Sequence, residues 1–175
     1  MLFTLVYSGF EPKIACEEFD SFGIRLHKIR RQIQKSRYSI HDLSRLRSEK
    51  QGDIARLNMP FELGIDYGCR VFGNKKVKNK KCLILEEKKY RYLRAISDLG
   101  GVDIKAHKSK KKELAYQVRA WLITFRKNVE SGSVICDSYN YFTDHFDRIT
   151  KGRGWRKRDY DLMAPPEYIN YINVI

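Results

Sequence analysis

At 175 residues, 42% of them hydrophobic, the chain suits one compact domain with a small appendage and holds enough apolar side chains for a real core. No apolar stretch approaches the ~20 residues that span a bilayer, and the opening MLFTLVYSGF has no basic lead, which excludes a membrane helix and a signal peptide from the reading. The net charge of +14 comes from clusters at Arg25 to Arg37, Lys75 to Lys81, Lys105 to Lys112 and Lys151 to Arg158. Such a field attracts nucleic acid, nucleotides or acidic protein surfaces. Lysine runs that keep a small protein soluble are the plainer reading, so nucleic acid ranks as a secondary partner. The four cysteines, Cys16, Cys69, Cys82 and Cys136, form no CxxC pair and read as reduced thiols of a cytoplasmic protein.

In chain order, Phe3 to Tyr7 is a continuous apolar run that predicts a central strand buried on both faces, ending at Ser8-Gly9. A helix follows with Phe22, Leu26, Ile29 and Ile33 on one face. Tyr38 to Leu43 predicts the second strand, and a charged loop runs from Arg45 to Asn58. The next helix, residues 60 to 72, opens at Pro60, and Phe61, Ile65, Gly68 and Phe72 mark its core face. Gly73-Asn74 closes it. A lysine-rich loop leads into a strand at Cys82 to Leu85, a helix from Tyr90 to Leu99 and a short strand from Val102 to Ala106. The longest helix is expected from Lys110 to Val129, with Leu114, Val118, Trp121 and Phe125 facing the core. Ile135, Tyr139, Phe142, Phe146 and Ile149 mark another amphipathic helix, and Pro165-Pro166 starts a short one.

Strands alternating with helices predict an α/β fold, a Rossmann- or flavodoxin-like, mostly parallel sheet of about four to five strands with helices on both faces. The expected domains are an α/β body over residues 1–130 and a C-terminal helical extension over 131–175.

Chemistry is expected where strands of such a sheet end. Asp42 and Ser44 close the second strand. Glu62 sits in the first turn of the following helix, about 100° round from its apolar face. A carboxylate there either stabilises the helix dipole or faces a ribose, where it can stabilise an oxocarbenium-like state at C1. Asp42 and Ser44 could bind hydroxyls, and Arg56 and Asn58 could reach substrate from the loop. A metal-dependent nuclease is the rival, with Asp66 and the run Glu86-Glu87-Lys88 as its pattern. A non-catalytic nucleotide sensor is the third reading. The four histidines show no HxxxH metal spacing, and His41 reads as a packed polar residue.

The order YSIHDLS, NMPFELGIDYG and KKCLIL resembles the TIR-like and nucleoside 2-deoxyribosyltransferase-like superfamily over about residues 1 to 130. More closely, the chain is similar to a small bacterial family reading FTIHACGF, YSIHDLS, RFNMPFELGL and YQKFISDIAGQDI, which stand here as FTLVYSGF, YSIHDLS, RLNMPFELGI and YLRAISDLGGVDI. The resemblance implies Glu62 as the catalytic carboxylate and Asp42 as the acid after the preceding strand. It further implies Ser8-Gly9 as the substrate-side loop after the first strand. Tyr7, Ser44, Arg45, Arg56, Asn58 and Tyr67 are expected as further substrate contacts from their places around the strand ends and the loop, and no metal site is expected. The implied activity is N-glycosidic cleavage of NAD or a related nucleotide, as substrate and not as cofactor. Antiphage defence, self-assembly into a homo-oligomer or larger assembly, and absence of membrane partners are the further implications.

Overall fold

A computed structural model describes residues 1–14, 24–46 and 57–175. The chain forms two compact units, Asp20–Gln117 and a second built from Met1–Phe19 with Val118–Ile175. The sequence expectation had drawn one boundary, at residue 130. Among the described residues no helix is long and apolar enough to cross a membrane.

The first unit is α/β. Its strands β1 (Tyr38–Asp42), β2 (Lys81–Glu86) and β3 (Lys105–Ala106) form a three-stranded parallel sheet in the order β1-β2-β3. Ser39 pairs with Cys82, His41 with Ile84 and Leu85 with Lys105. Leu83, Ile84 and Leu85 are all buried, so β2 carries apolar side chains on both faces, as a central parallel strand does. The described residues hold three strands, not the four to five expected. The segment expected as the first strand is a helix.

Helices α2 (Arg25–Lys35), α3 (Asn58–Phe72) and α4 (Lys75–Lys78) belong to this unit. Leu63 of α3 packs with Leu43, Leu46, Ile84 and Tyr92, and Met59 lies against that cluster. Gly73 turns extended at the end of α3, and only glycine fits there: a Cβ would stand 2.1 Å from the Cys69 carbonyl oxygen. The helix expected from Tyr90 to Leu99 is instead two 3-10 turns, Arg91–Arg94 and Ser97–Leu99, set off by Tyr90 at φ 64°. Helix α5 (Lys111–Leu122) stops well short of the expected Val129.

The register of α3 overturns the expected core face. Phe61 and Phe72 are 59% and 88% exposed, while Leu63 and Asp66 are the residues it buries. A charged residue occupies the centre of the inward face, so the apolar periodicity marks the outward one.

The second unit is helical: α1 (Leu2–Tyr7), α6 (Gly132–Gly152), α7 (Lys157–Leu162) and α8 (Pro165–Val174). A short apolar run fits a buried helix as well as a strand. Phe3 stacks on Tyr7 one turn on, and meets Tyr139 and Phe142 of α6. Ser131 caps α6, its hydroxyl accepting the Val134 N–H at 3.2 Å. Pro165 opens α8, where its fixed φ fits and its missing donor is not needed. Phe146 gathers the rings of Trp155, Tyr160, Tyr168 and Tyr171.

Candidate functional site

Parallel strands bring their carboxyl ends to one edge, and three polar residues close them: Asp42 ends β1, Glu86 ends β2 and His107 follows β3. Asp42, Ser44 and His107 meet there. Ser44 donates its hydroxyl to Asp42 Oδ1 at 2.5 Å, and its backbone N–H donates to the same oxygen at 3.0 Å. His107 Nε2 lies 2.7 Å from Ser44 Oγ and 3.5 Å from Asp42 Oδ1.

The backbone fixes the direction of these bonds. The Ser109 N–H donates to His107 Nδ1 at 3.1 Å, so the proton of the neutral ring stands on Nε2. His107 therefore donates to Ser44, and Ser44 donates to Asp42. A nucleophilic serine needs the opposite arrangement, with an imidazole nitrogen ready to take its proton. The cluster is built to present a half-exposed carboxylate and oriented polar groups, not to activate Ser44. Lys108 and Ser109, at φ 55° and 54°, hold the turn that carries the Ser109 N–H.

Glu86 is fully buried and clasped by Arg91, whose Nη2 and Nε reach its two oxygens at 2.5 and 3.1 Å. Arg91 also donates to the Ser44 carbonyl at 2.7 Å and to Glu87 at 2.5 Å. Bonding to Glu86 outweighs burial and keeps the guanidinium charged, and the Arg91 bond holds Glu87 below the usual carboxylate range. This clasp fixes the chain after β1 against the end of β2. It also occupies the carboxylate that a nuclease reading would give to a metal.

Glu62 is the fifth residue of α3, because the helix starts at Asn58 and not at Pro60. It sits in the second turn, not the first. Its side chain is 16% exposed and its ion pair is with Arg25 at 3.6 Å. Asp66, one turn later on the same ridge, meets Ser39 and His41 of β1, whereas Leu63 packs beside Leu43 and Leu46. Helix α3 thus runs antiparallel to β1 and carries Glu62 toward the carboxyl edge.

Asn58 stands one turn before Glu62 and is exposed, as is Arg45. Tyr67 is 61% exposed and about 140° round the helix from Glu62. Arg56 lies outside the described residues, and so does Cys16. Tyr7, Ser8 and Gly9 belong to the helical unit, where they have local roles. Ser138 donates to the Tyr7 hydroxyl at 3.0 Å, Ser8 is buried, and the Gly9 carbonyl accepts from Arg126 at 2.6 Å. His107 escaped the sequence reading, although a histidine directly after a predicted parallel strand was a usable signal.

A second polar cluster lies beneath α3. Asp66 is 1% exposed and accepts from Ser39 and from His41 Nε2 at 3.2 Å, with Lys80 Nζ 2.6 Å from its other oxygen. Burial alone would raise the Asp66 carboxyl, but His41, Lys80 and Ser39 together hold it well below the usual range. Ligand atoms of His41, Asp66 and Cys82 lie within 4.8 Å of one another, a set that could hold a metal ion. Lys80 already supplies the counter-charge, and burial pushes the Cys82 thiol up. The donor set therefore fits a buried ion-pair network better than a metal centre. Cys69, Cys82 and Cys136 are free thiols.

No protein-family model, no curated protein and no solved structure significantly matches the chain.

Proposed function

We propose that the α/β unit is a Rossmann-like, TIR-like nucleotide-processing domain that cleaves an N-glycosidic bond of NAD or a related nucleotide at the carboxyl edge of its sheet. The observation that carries this reading is the Asp42–Ser44–His107 cluster at that edge. Asp42 offers a carboxylate oxygen for a ribose hydroxyl, and Ser44 and His107 hold it in place. Glu62 supplies the charge that stabilises positive character developing at C1 as the base departs. Its partner Arg25, 3.6 Å away, is itself largely exposed and can swing aside when substrate arrives. Water or a second acceptor then takes the C1 position, giving hydrolysis or transfer.

The test is incubation of purified protein with NAD, NADP and a nucleoside panel, followed by product analysis. Release of the free base by wild type, and its loss in Glu62→Gln with nucleotide binding retained, supports the proposal. Nucleotide binding without turnover in either protein assigns the edge to a sensor. Metal-dependent DNA cleavage that survives Glu62→Gln and is lost in Glu86→Gln overturns it in favour of a nuclease.

A further inference from the structure

Helix α3 is built inside out. With about 100° per residue, Leu57, Pro60, Phe61, Gly64, Ile65, Gly68, Val71 and Phe72 fall on one side of the helix. Met59, Glu62, Leu63, Asp66 and Arg70 fall on the other. Leu63 and Asp66, in the middle of the second set, are buried against the sheet, while Arg70 at its end is exposed. The first is the outward face. Phe61, Tyr67 and Phe72 on and beside it are 59%, 61% and 88% exposed, and Leu57 and Val71 are exposed as well. A surface helix ordinarily presents its charged side outward.

Two glycines sit in the middle of this face. Among the described residues a Cβ built on Gly64 or Gly68 meets nothing within 4 Å, so neither glycine is required by a neighbour there. Glycine in a helix interior is unfavourable on its own account. Its use here fits the close approach of another backbone.

We propose that the outward face of α3 is the self-association surface of this protein, occupied by α3 of a second copy. Area argues for it. With roughly 200 Å² for each aromatic ring, the three aromatics alone expose about 400 Å². Leu57, Val71, Ile65 and the glycine notch bring the patch to ~600 Å², at or above the largest patch a typical monomer shows. Doubled across two copies, it reaches the ~1,200 Å² at which stable interfaces begin. Shape argues for the same occupant. Two such helices laid antiparallel about a two-fold axis level with Asp66 set Gly64 against Gly68 of the second copy. The same arrangement brings Phe61 level with Val71 and beside Phe72 of the second copy. Bulk meets bulk at the ends and the notches meet in the centre, so the face complements itself as an isologous contact requires.

Analytical ultracentrifugation of the full chain from ~1 to ~100 μM, the range of ordinary protein dimers, tests this. Wild type is expected to dimerise. Gly64→Leu and Gly68→Leu each fill the notch while removing an unfavourable helical glycine, so the fold is kept and the dimer dissociation constant rises at least ~10-fold, the equivalent of one lost packed contact. Phe61→Asp is expected to act likewise, with an unchanged far-UV circular dichroism spectrum. A wild type that stays monomeric throughout that range overturns the proposal, as does a dimer that persists unweakened in all three variants. Arg148→Gln, on α6, is the control and is expected to leave the dimer intact.

Discussion

Lys80→Met keeps the length of the side chain and removes its ammonium. In the native protein Lys80 Nζ lies 2.6 Å from Asp66 Oδ1 and donates to the Ile33 carbonyl at 2.6 Å, and both charged side chains are 1% exposed. Taking away one member leaves a buried carboxylate without its counter-charge, which costs about 3–5 kcal/mol. The Ile33 carbonyl at the end of α2 loses its donor too, for about 1 kcal/mol more. Ser39 and His41 still donate to Asp66, which places the expected total near ~4 kcal/mol. Against a total stability of about 5–15 kcal/mol, that is a large fraction. Urea denaturation followed by far-UV circular dichroism measures it. The double variant Asp66→Leu/Lys80→Met removes both charges and is expected to recover most of the loss, since an apolar pair of similar volume often replaces a buried ion pair at little cost. A single variant within about 1 kcal/mol of wild type, or a double variant no better than the single, refutes the claim that this pair is a closed, mutually dependent network.

The same carboxylate sets an acid limit. Because the folded Asp66 carboxyl is held below its unfolded value near ~3.9, its contribution is complete above that pH and is lost as the pH falls further toward the folded value. Wild type is therefore expected to lose stability more steeply than Asp66→Asn below about pH 4, read from urea midpoints across the acid range. Gly9 stands at φ +75°, and a Cβ there would be 2.5 Å from Arg126 Nη1, so Gly9→Ala is expected to lower stability by about 1–2 kcal/mol in thermal melts. An unchanged melt refutes the local account of Gly9. Ser44→Ala removes the hydroxyl between His107 and Asp42 but no nucleophile, so on the proposed reaction it is expected to retain turnover reduced by about ten-fold, about one hydrogen bond's worth. Complete loss on a par with Glu62→Gln contradicts the wiring derived for the cluster.

Much of the α/β unit was legible because its signals are local. YSIHD and CLIL are β-branched and apolar runs bounded by polar turns, and they became β1 and most of β2. Ile29 and Ile33 of α2 and Ile135, Phe142 and Phe146 of α6 are buried as their apolar periods imply, although Leu26 of α2 is exposed and Phe22 lies outside the described residues, and α8 starts at Pro165 as expected. Phe3 to Tyr7 misled because a five-residue, largely apolar run carries no period that separates a buried strand from a buried helix. The face of α3 misled for a deeper reason. Periodicity reports where apolar residues lie, and the rule that they face inward fails when a buried ion pair holds the inner side and an apolar stripe faces out. Of the expected site, Asp42 and Ser44 come together as the strand end dictates, while His107 arrives through the β2–β3 crossover, a pairing no local pattern encodes. Tyr7, Ser8 and Gly9 were assigned to substrate on the premise that their segment was a strand. That segment is a helix, and the Tyr7 hydroxyl accepts from Ser138 while the Gly9 carbonyl accepts from Arg126.

On the proposed reaction, the carboxyl edge of this sheet breaks an N-glycosidic bond with Glu62 as its charged group. The most direct measurement is the rate of free-base release from NAD and related nucleotides by wild type and Glu62→Gln, with nucleotide binding followed in parallel. Release by wild type, a fall of ~10²–10³-fold in Glu62→Gln, and binding that survives the substitution are expected. Equal rates in the two proteins, or no base released from any nucleotide by well-folded wild type, would contradict it.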